Sequence, residues 1–396
     1  MLKRKSKPGP IGLDIGTSGV KLLQLANEGG QPSVVASAYC PFPSDSPDGV
    51  DPAHLIERTI ADALRHNPFK GRAVVTAFGS GDFLMKNIRL PRMPADELSA
   101  AVQFEAAERF DLGGKAAQIR FLPVGEVRHG NELKEEVIVF SALDEAVNDR
   151  LQLLDTLKLT PVALDITPCA VARSFVRFLR RAEDAEAINI FLEVGYGASA
   201  IIVTRGPEVS FLKLIDIGGR HFNKAVAKTL GISEREAANL RIRIMRDRNT
   251  QRAGDGDGIQ DDIAAAVTDA VRPSIERLSR DVQLCMRYFA VTFRGQRPDS
   301  LTLVGGEAHE PSMTTILSEG INTPCTIGHP LRGIAHLGDI AGRDRRTTQP
   351  AWAVAGGLAL WGSPWVTHRM KSNRNSSGKR MPRARTETRL AEGERA

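Results

Sequence analysis

The sequence predicts an α/β protein of two lobes, with a further module inserted into the first. Three observations carry that expectation. The 396 residues exceed what one small core accommodates. Two hairpin-like stretches each place an acid two positions before a glycine, at Asp14-Ile15-Gly16 and at Glu193-Val194-Gly195. Between them, a run of strand, helix, strand, strand and helix covering about 80 residues reads as a compact unit of its own.

The elements follow in order. Residues 1–10 are basic and predict no regular structure. "IGLDIGTSGVKLLQL" at 11–25 and the run at 33–39 have a strand pattern, and Gly29-Gly30 between them supplies a hairpin turn. "DPAHLIERTIADALRH" begins with Asp51 as cap and Pro52 at the first helical position, with apolar residues at 55, 56, 60 and 64. "RAVVTAFG" at 72–79 is a buried strand, which completes a first unit over 11–83. The inserted module spans 84–160: the strand "FLMKNIRLP", a helix opened by Pro94, two strands split by a polar loop at 128–135, and an amphipathic helix with apolar positions 147, 151, 154 and 157. Residues 161–185 return to the first unit through the strand "TPVALDIT" and the helix "PCAVARSFVRFLRR".

The second lobe opens over 186–232 with three strands joined by turns at Gly195-Tyr196-Gly197 and Arg205-Gly206-Pro207, then a helix from 219 that ends at Gly231. Residues 233–272 start with a capping box formed by Ser233 and Glu236 and continue into a polar loop at 247–262. Over 273–366 the pattern gives a long helix from Pro273 to near Phe293, the strand "SLTLVGG", a helix near 311–319 and the closing apolar helix "PAWAVAGGLALWG". The tail 367–396 is basic and poor in apolar residues, which predicts disorder.

Charge and composition exclude several classes. Of the net charge of +6, residues 369–396 hold nine Lys/Arg against three Glu and the first ten residues hold four Lys/Arg, so the body between them is mildly acidic. A folded nucleic-acid footprint is therefore not expected. No apolar run reaches the roughly 20 residues that cross a bilayer, and no apolar signal core follows the basic start, which predicts a cytoplasmic protein. Cys40, Cys169, Cys285 and Cys325 are scattered, without a CxxC pair, and read as reduced thiols. "DGDG" at 255–258 lacks the spacing and closing Glu of a calcium loop. There is no GxxxxGK[ST] and no HExxH, and "GTSG" is not a GxSxG elbow.

The polar turns carry the chemistry that remains. Glycine lets backbone N–H groups converge on an anion, and Thr17 and Ser18 add hydroxyl donors. A carboxylate beside a phosphate makes sense through a magnesium ion, which assigns Asp14 and Glu193 to metal. Gly16, Thr17, Ser18 and Lys21 on one jaw and Gly195 and Gly197 on the other are the phosphate candidates, and Gly305-Gly306 after "LTLV" forms a nucleoside-side turn. Each turn taken alone is equally compatible with a plain hairpin or a strand-to-helix connection.

The opening "IGLDIGTSGVKLLQL", the helix "LPRMPADELSAAVQFEAAERF", "ALDITPCAVAR", "IDIGGRHFNKAVAKTLGISEREAANL", "LTLVGGEA" and "AWAVAGGLAL" resemble the actin-like ATPase superfamily, and within it the FtsA-like type IV pilus assembly PilM family. The resemblance runs over about 350 residues, and it implies a ribonuclease H-like two-lobed fold. In its terms 11–83 and 161–185 are subdomain 1A, 84–160 is 1C, 186–232 and 273–366 are 2A, and 233–272 is 2B. It implies ATP and Mg2+ in the cleft, with Glu236 and Arg241 near the nucleotide. It also implies a PilN-like bitopic inner-membrane partner whose N-terminal peptide docks between 1A and 1C, placing the protein at the inner face of the cytoplasmic membrane. Three departures imply weak or absent hydrolysis: Glu193 stands where the family has Asp, Ala238 and Arg241 replace an acid and a lysine, and Glu307 replaces a small residue. Asp165, at the end of an inter-lobe strand, is a candidate for orienting a water or for capping a helix. A type II secretion scaffold, a small-metabolite kinase of the same superfold and an FtsA-like division protein are the alternatives.

Overall fold

The computed structural model of the chain describes residues 7–43, 51–129, 132–251, 261–292, 298–337, 340 and 348–366. Its strands in chain order are β1 (Pro8–Ile15), β2 (Gly19–Glu28), β3 (Gln31–Pro41), β4 (Ala73–Phe78), β5 (Leu84–Pro91), β6 (Ala117–His129), β7 (Glu132–Leu143) and β8 (Thr160–Ile166). The second half adds β9 (Ile188–Val194), β10 (Ser199–Arg205), β11 (Glu208–Ile215), β12 (Ser300–Val304) and β13 (Cys325–Ile327).

Two five-stranded sheets share one topology. The order β3-β2-β1-β4-β8 in the first is matched by β11-β10-β9-β12-β13 in the second. In each, an antiparallel three-stranded meander is followed by two strands parallel to its first. The third sheet, β5-β7-β6, is antiparallel and belongs to the inserted stretch.

Helix α1 (Pro52–His66) starts where Asp51 caps it, its Oδ1 accepting from the Ala53 N–H at 3.0 Å. Helix α2 (Ala95–Arg109) covers the inserted sheet with Leu98, Val102 and Ala106, which pack with Ile88, Val137 and Val139. Helix α3 (Asp144–Thr156) faces two cores: Leu154 is buried with Ile11, Leu13 and Val74 of the first sheet, while Val147 packs in the core that contains Phe140 of β7. The inserted sheet is thereby mounted on the first lobe.

Helix α4 (Thr167–Val176) and helix α9 (Ala353–Ala359) cross behind the first sheet. The crossing depends on missing side chains. A Cβ on Gly12 would lie 2.5 Å from the Ala359 nitrogen, and one on Gly357 would overlap the Ala170 carbonyl. Around them one core joins all three sheets: Val75 and Phe78, Ile138 and Phe140, Ile202 and Leu212, with Ala170 and Leu358 from the helices. Each fully buried Ile, Leu or Phe there contributes roughly 1.5–3 kcal/mol over exposure.

Helices α5 (Gly219–Leu230), α6 (Glu234–Gln251), α7 (Asp261–Thr292) and α8 (Met313–Ile321) complete the second lobe. The capping box is present, with the Ser233 N–H donating to Glu236 at 2.9 Å and the Glu236 N–H to Ser233 Oγ at 3.2 Å. The expected helix start at Pro273 is corrected: α7 begins at Asp261 and carries Pro273 on its solvent face, because Val267, Val271, Ile275, Leu278 and Val282 form one continuous buried stripe. The polar loop expected at 247–262 is likewise shorter, since α6 runs to Gln251. "DGDG" lies outside the described residues. The loop expected at 128–135 is largely strand, with His129 paired to Glu132.

A polar link joins the inserted sheet to the second lobe. Tyr288 on α7 donates its hydroxyl to Glu136 of β7 at 3.2 Å and accepts from Arg89 of β5 at 3.1 Å. Arg89 in turn pairs with the buried Glu136 carboxylate at 2.7 Å.

Candidate functional site

The two acid–glycine turns are copies of each other. Ile15 pairs with Val20 across the first turn and Val194 with Ser199 across the second, which leaves four residues in each. The Gly16 N–H donates to the Gly19 carbonyl at 3.0 Å, and the Gly195 N–H donates to the Ala198 carbonyl at 3.1 Å. Asp14 and Glu193 therefore hold the same position on their strands, one residue before the strand end. The turns meet across the cleft: a Cβ on Gly197 would lie 3.7 Å from the Thr17 methyl carbon.

Electrostatics couples the two jaws. Asp14 is buried, and burial raises its pKa, opposed by Lys21 and then Arg150. Glu193 is half-buried at the cleft wall; burial, reinforced by the Asp14 charge and opposed by Lys21, pushes its carboxyl up to about 7. Lys21 sits beside Asp14 in the β1–β2 register, its Nζ 3.8 Å from the carboxylate and 5.1 Å from the centre of the Tyr39 ring. Thr17 and Ser18 are exposed at the tip.

Arg150 of α3 is a site neighbour that the sequence reading passed over. Its guanidinium donates to the Ala77 carbonyl at 2.8 Å, lies 3.6 Å from Asp82 and acts on the Asp14 charge. The available signal was an arginine three residues after Val147 and four before Leu154, on the apolar stripe of an amphipathic helix.

The remaining candidates are placed elsewhere. Asp165 lies two strands from Asp14 along the register Leu13–Thr76 and Ala77–Asp165, about 10 Å at the usual strand spacing. Its carboxylate is held by Arg173 at 2.7 Å and accepts from the Ile166 N–H at 2.8 Å. Arg173 also stacks over Trp361 at 4.5 Å, so the pair ties α4 to the segment after α9. Glu236 is exposed and serves the α6 cap.

Arg241 joins the turn after β12 directly. It is buried, donates to Asn223 Oδ1 at 2.5 Å and to the Gly219 carbonyl at 3.3 Å, and pairs with Glu307 at 2.6 Å and with Glu310. Burial works against its charge, but Glu307 and Glu310 outweigh that and raise its pKa. Gly305 has φ +96, and a Cβ there would collide with the Val194 carbonyl. Gly306 faces open space.

Two lobes of identical sheet order, with paired acid–glycine turns meeting between them, define an actin-like two-lobed fold. The chain belongs to the type IV pilus assembly protein PilM family, whose model matches residues 12–363. Among solved structures, the PilM–PilN type IV pilus biogenesis complex aligns at TM-score 0.71 and 24% identity, covering 89% of this chain and 98% of that one. Ethanolamine utilization protein EutJ from Carboxydothermus hydrogenoformans aligns at 0.51 and 14%, covering 91% and 92%. MreB5 of Spiroplasma citri, a structure bound to ADP, aligns at 0.46 and 10%, covering 94% and 99%.

The residues fit Mg2+-ATP at one end only. Asp14, Glu193 and the Thr17 and Ser18 hydroxyls suit a magnesium ion and phosphates. At the other end, the Glu307 side chain is pressed so closely over Gly219 that no Cβ fits there, and Arg241 spans the gap between α6 and the turn after β12.

Proposed function

We propose that this member of the PilM family is a scaffold that docks the cytoplasmic N-terminal peptide of a PilN-like bitopic inner-membrane protein. The peptide would lie between the first sheet and the inserted β5–β7 sheet, the units assigned to subdomains 1A and 1C. The observation that carries the reading is α3, which fixes one sheet against the other with Leu154 on one side and Val147 on the other. β8 is a sheet edge with Val162 exposed, and α3, which contacts β8, carries the exposed Leu151. An edge strand with exposed apolar residues suits an extended peptide. Among the described residues no helix is long and apolar enough to cross a membrane, so attachment to the inner face of the cytoplasmic membrane would come through the partner.

ATP and Mg2+ belong to this reading as an inherited half-site: Asp14 and Glu193 would hold the cation, and Gly16, Thr17, Ser18 and Lys21 with Gly195 and Gly197 would face the phosphates. Bound magnesium would supply charge neutralisation there. The scaffold role needs no turnover, since the shared core already joins all three sheets.

The test is titration of a fluorescent peptide matching the partner's cytoplasmic N-terminus. Val162→Asp and Leu151→Asp are expected to weaken binding about tenfold or more with little change in melting. Unaltered affinity in both variants refutes the groove.

A further inference from the structure

We infer that the Arg241–Glu307–Glu310 cluster seals the nucleoside half of the cleft, so that this chain keeps its two-lobed shape without adenine nucleotide. Two of the three departures from the family pattern turn out to be one interaction. The arginine at 241 and the acid at 307 are 66 residues apart and form an ion pair of 2.6 Å, with Glu310 as its second acid.

The cluster is buried. The side chains of Arg241, Glu307 and Glu310 are 2%, 13% and 1% exposed. The guanidinium lies 5.1 Å from the centre of the Phe222 ring and is held by Asn223 and the Gly219 carbonyl. The turn that carries both acids is pinned by its backbone: the Gly305 N–H donates to Pro350 at 3.0 Å, Glu307 to the Val194 carbonyl at 3.1 Å and Glu310 to the Glu307 carbonyl at 3.0 Å.

A purine and ribose entering between α6 and this turn would have to displace Glu307 from Gly219 and strip a buried cation of one partner, which is costly because the remaining charge stays desolvated. Ala238, three residues earlier on α6, has no carboxylate to receive ribose hydroxyls. Even the Gly305 conformation is accounted for without a ligand, since the Val194 carbonyl occupies the space of its Cβ.

The deciding experiment is isothermal titration of Mg2+-ATP and Mg2+-ADP into the purified full chain, beside Glu307→Gly and Arg241→Lys/Glu307→Gly. Circular dichroism melts identify which variants fold. The wild type is expected to give no saturable heat at millimolar nucleotide, and the glycine variants to gain a saturable isotherm at least about tenfold tighter. Saturable binding by the wild type overturns the inference. So do folded variants that bind no better than wild type, because the cluster would then not be the barrier. If neither variant folds, the wild-type titration still decides. Peptide affinity measured with and without ATP is expected to be unchanged, which separates this result from the docking test above.

Discussion

Replacing Glu193 with Gln changes one carboxyl at the lobe interface, and the structure sets both sign and size of the effect. Burial first, then the Asp14 charge, raise the Glu193 pKa from 4.5 to about 7, with Lys21 opposing. The native state therefore binds this proton more tightly than the unfolded chain does. Below pH 4.5 both states are protonated and nothing is lost. Between pH 4.5 and about 7 the unfolded carboxyl ionises while the native one keeps its proton, so stability falls, and the loss is complete once pH has passed through about 7. The full shift is worth about 3 kcal/mol, and about 2 kcal/mol is the better expectation, since water reaches a half-buried group. Glu193→Gln is neutral at every pH, so it should match wild type in acid and exceed it by about 2 kcal/mol at pH 8. Urea unfolding of both proteins at a series of pH values, with chelator present, measures this. Parallel stability–pH curves refute the argument. Adding Mg2+ at pH 8 is expected to stabilise wild type and leave the variant unmoved if Asp14 and Glu193 share the ion.

Two further outcomes follow from packing. Gly357→Ala places a methyl against the Ala170 carbonyl at the α4–α9 crossing, and a loss of about 3 kcal/mol or failure to fold is expected in thermal melts; a near-neutral result would show that the helices can part. Tyr288→Phe keeps the ring against Phe211 but removes the hydroxyl shared by Arg89 and Glu136, for an expected cost of about 1 kcal/mol. Faster amide exchange in β5 and β7 should accompany that loss, and unchanged exchange would deny the link between the inserted sheet and the second lobe.

The hairpins, caps and strand-end glycines were legible because their signals are local. Asp51, Pro52, Gly231 and Ser233 each mark an end within a few residues of the element they delimit. The α7 start was missed because Pro273 is a strong local stop, while the four-residue spacing of Val267, Val271 and Ile275 that overrides it reflects tertiary burial. The first jaw of the site was readable from Asp14-Ile15-Gly16, and the second from its repetition. The Arg241 cluster was not, since partners 66 and 69 residues apart leave no pattern in a single sequence. Arg150 falls between: its place on an apolar stripe was visible, its reach toward Asp14 was not.

The contact between Gly12 and α9 has a consequence for how the chain is made. Strand β1 is the first strand described, yet the backbone that covers it, Ala355 to Ala359, lies in α9, far along the chain. The partner of β4 on its other side, β8, arrives only after the whole inserted sheet. A ribosome-bound chain therefore exposes the apolar flank of β1 until α9 has emerged, and β1–β8 expressed without α9 would lack that cover. Elements far apart along the chain thus share one core, which ties the folding of β1 to that of α9.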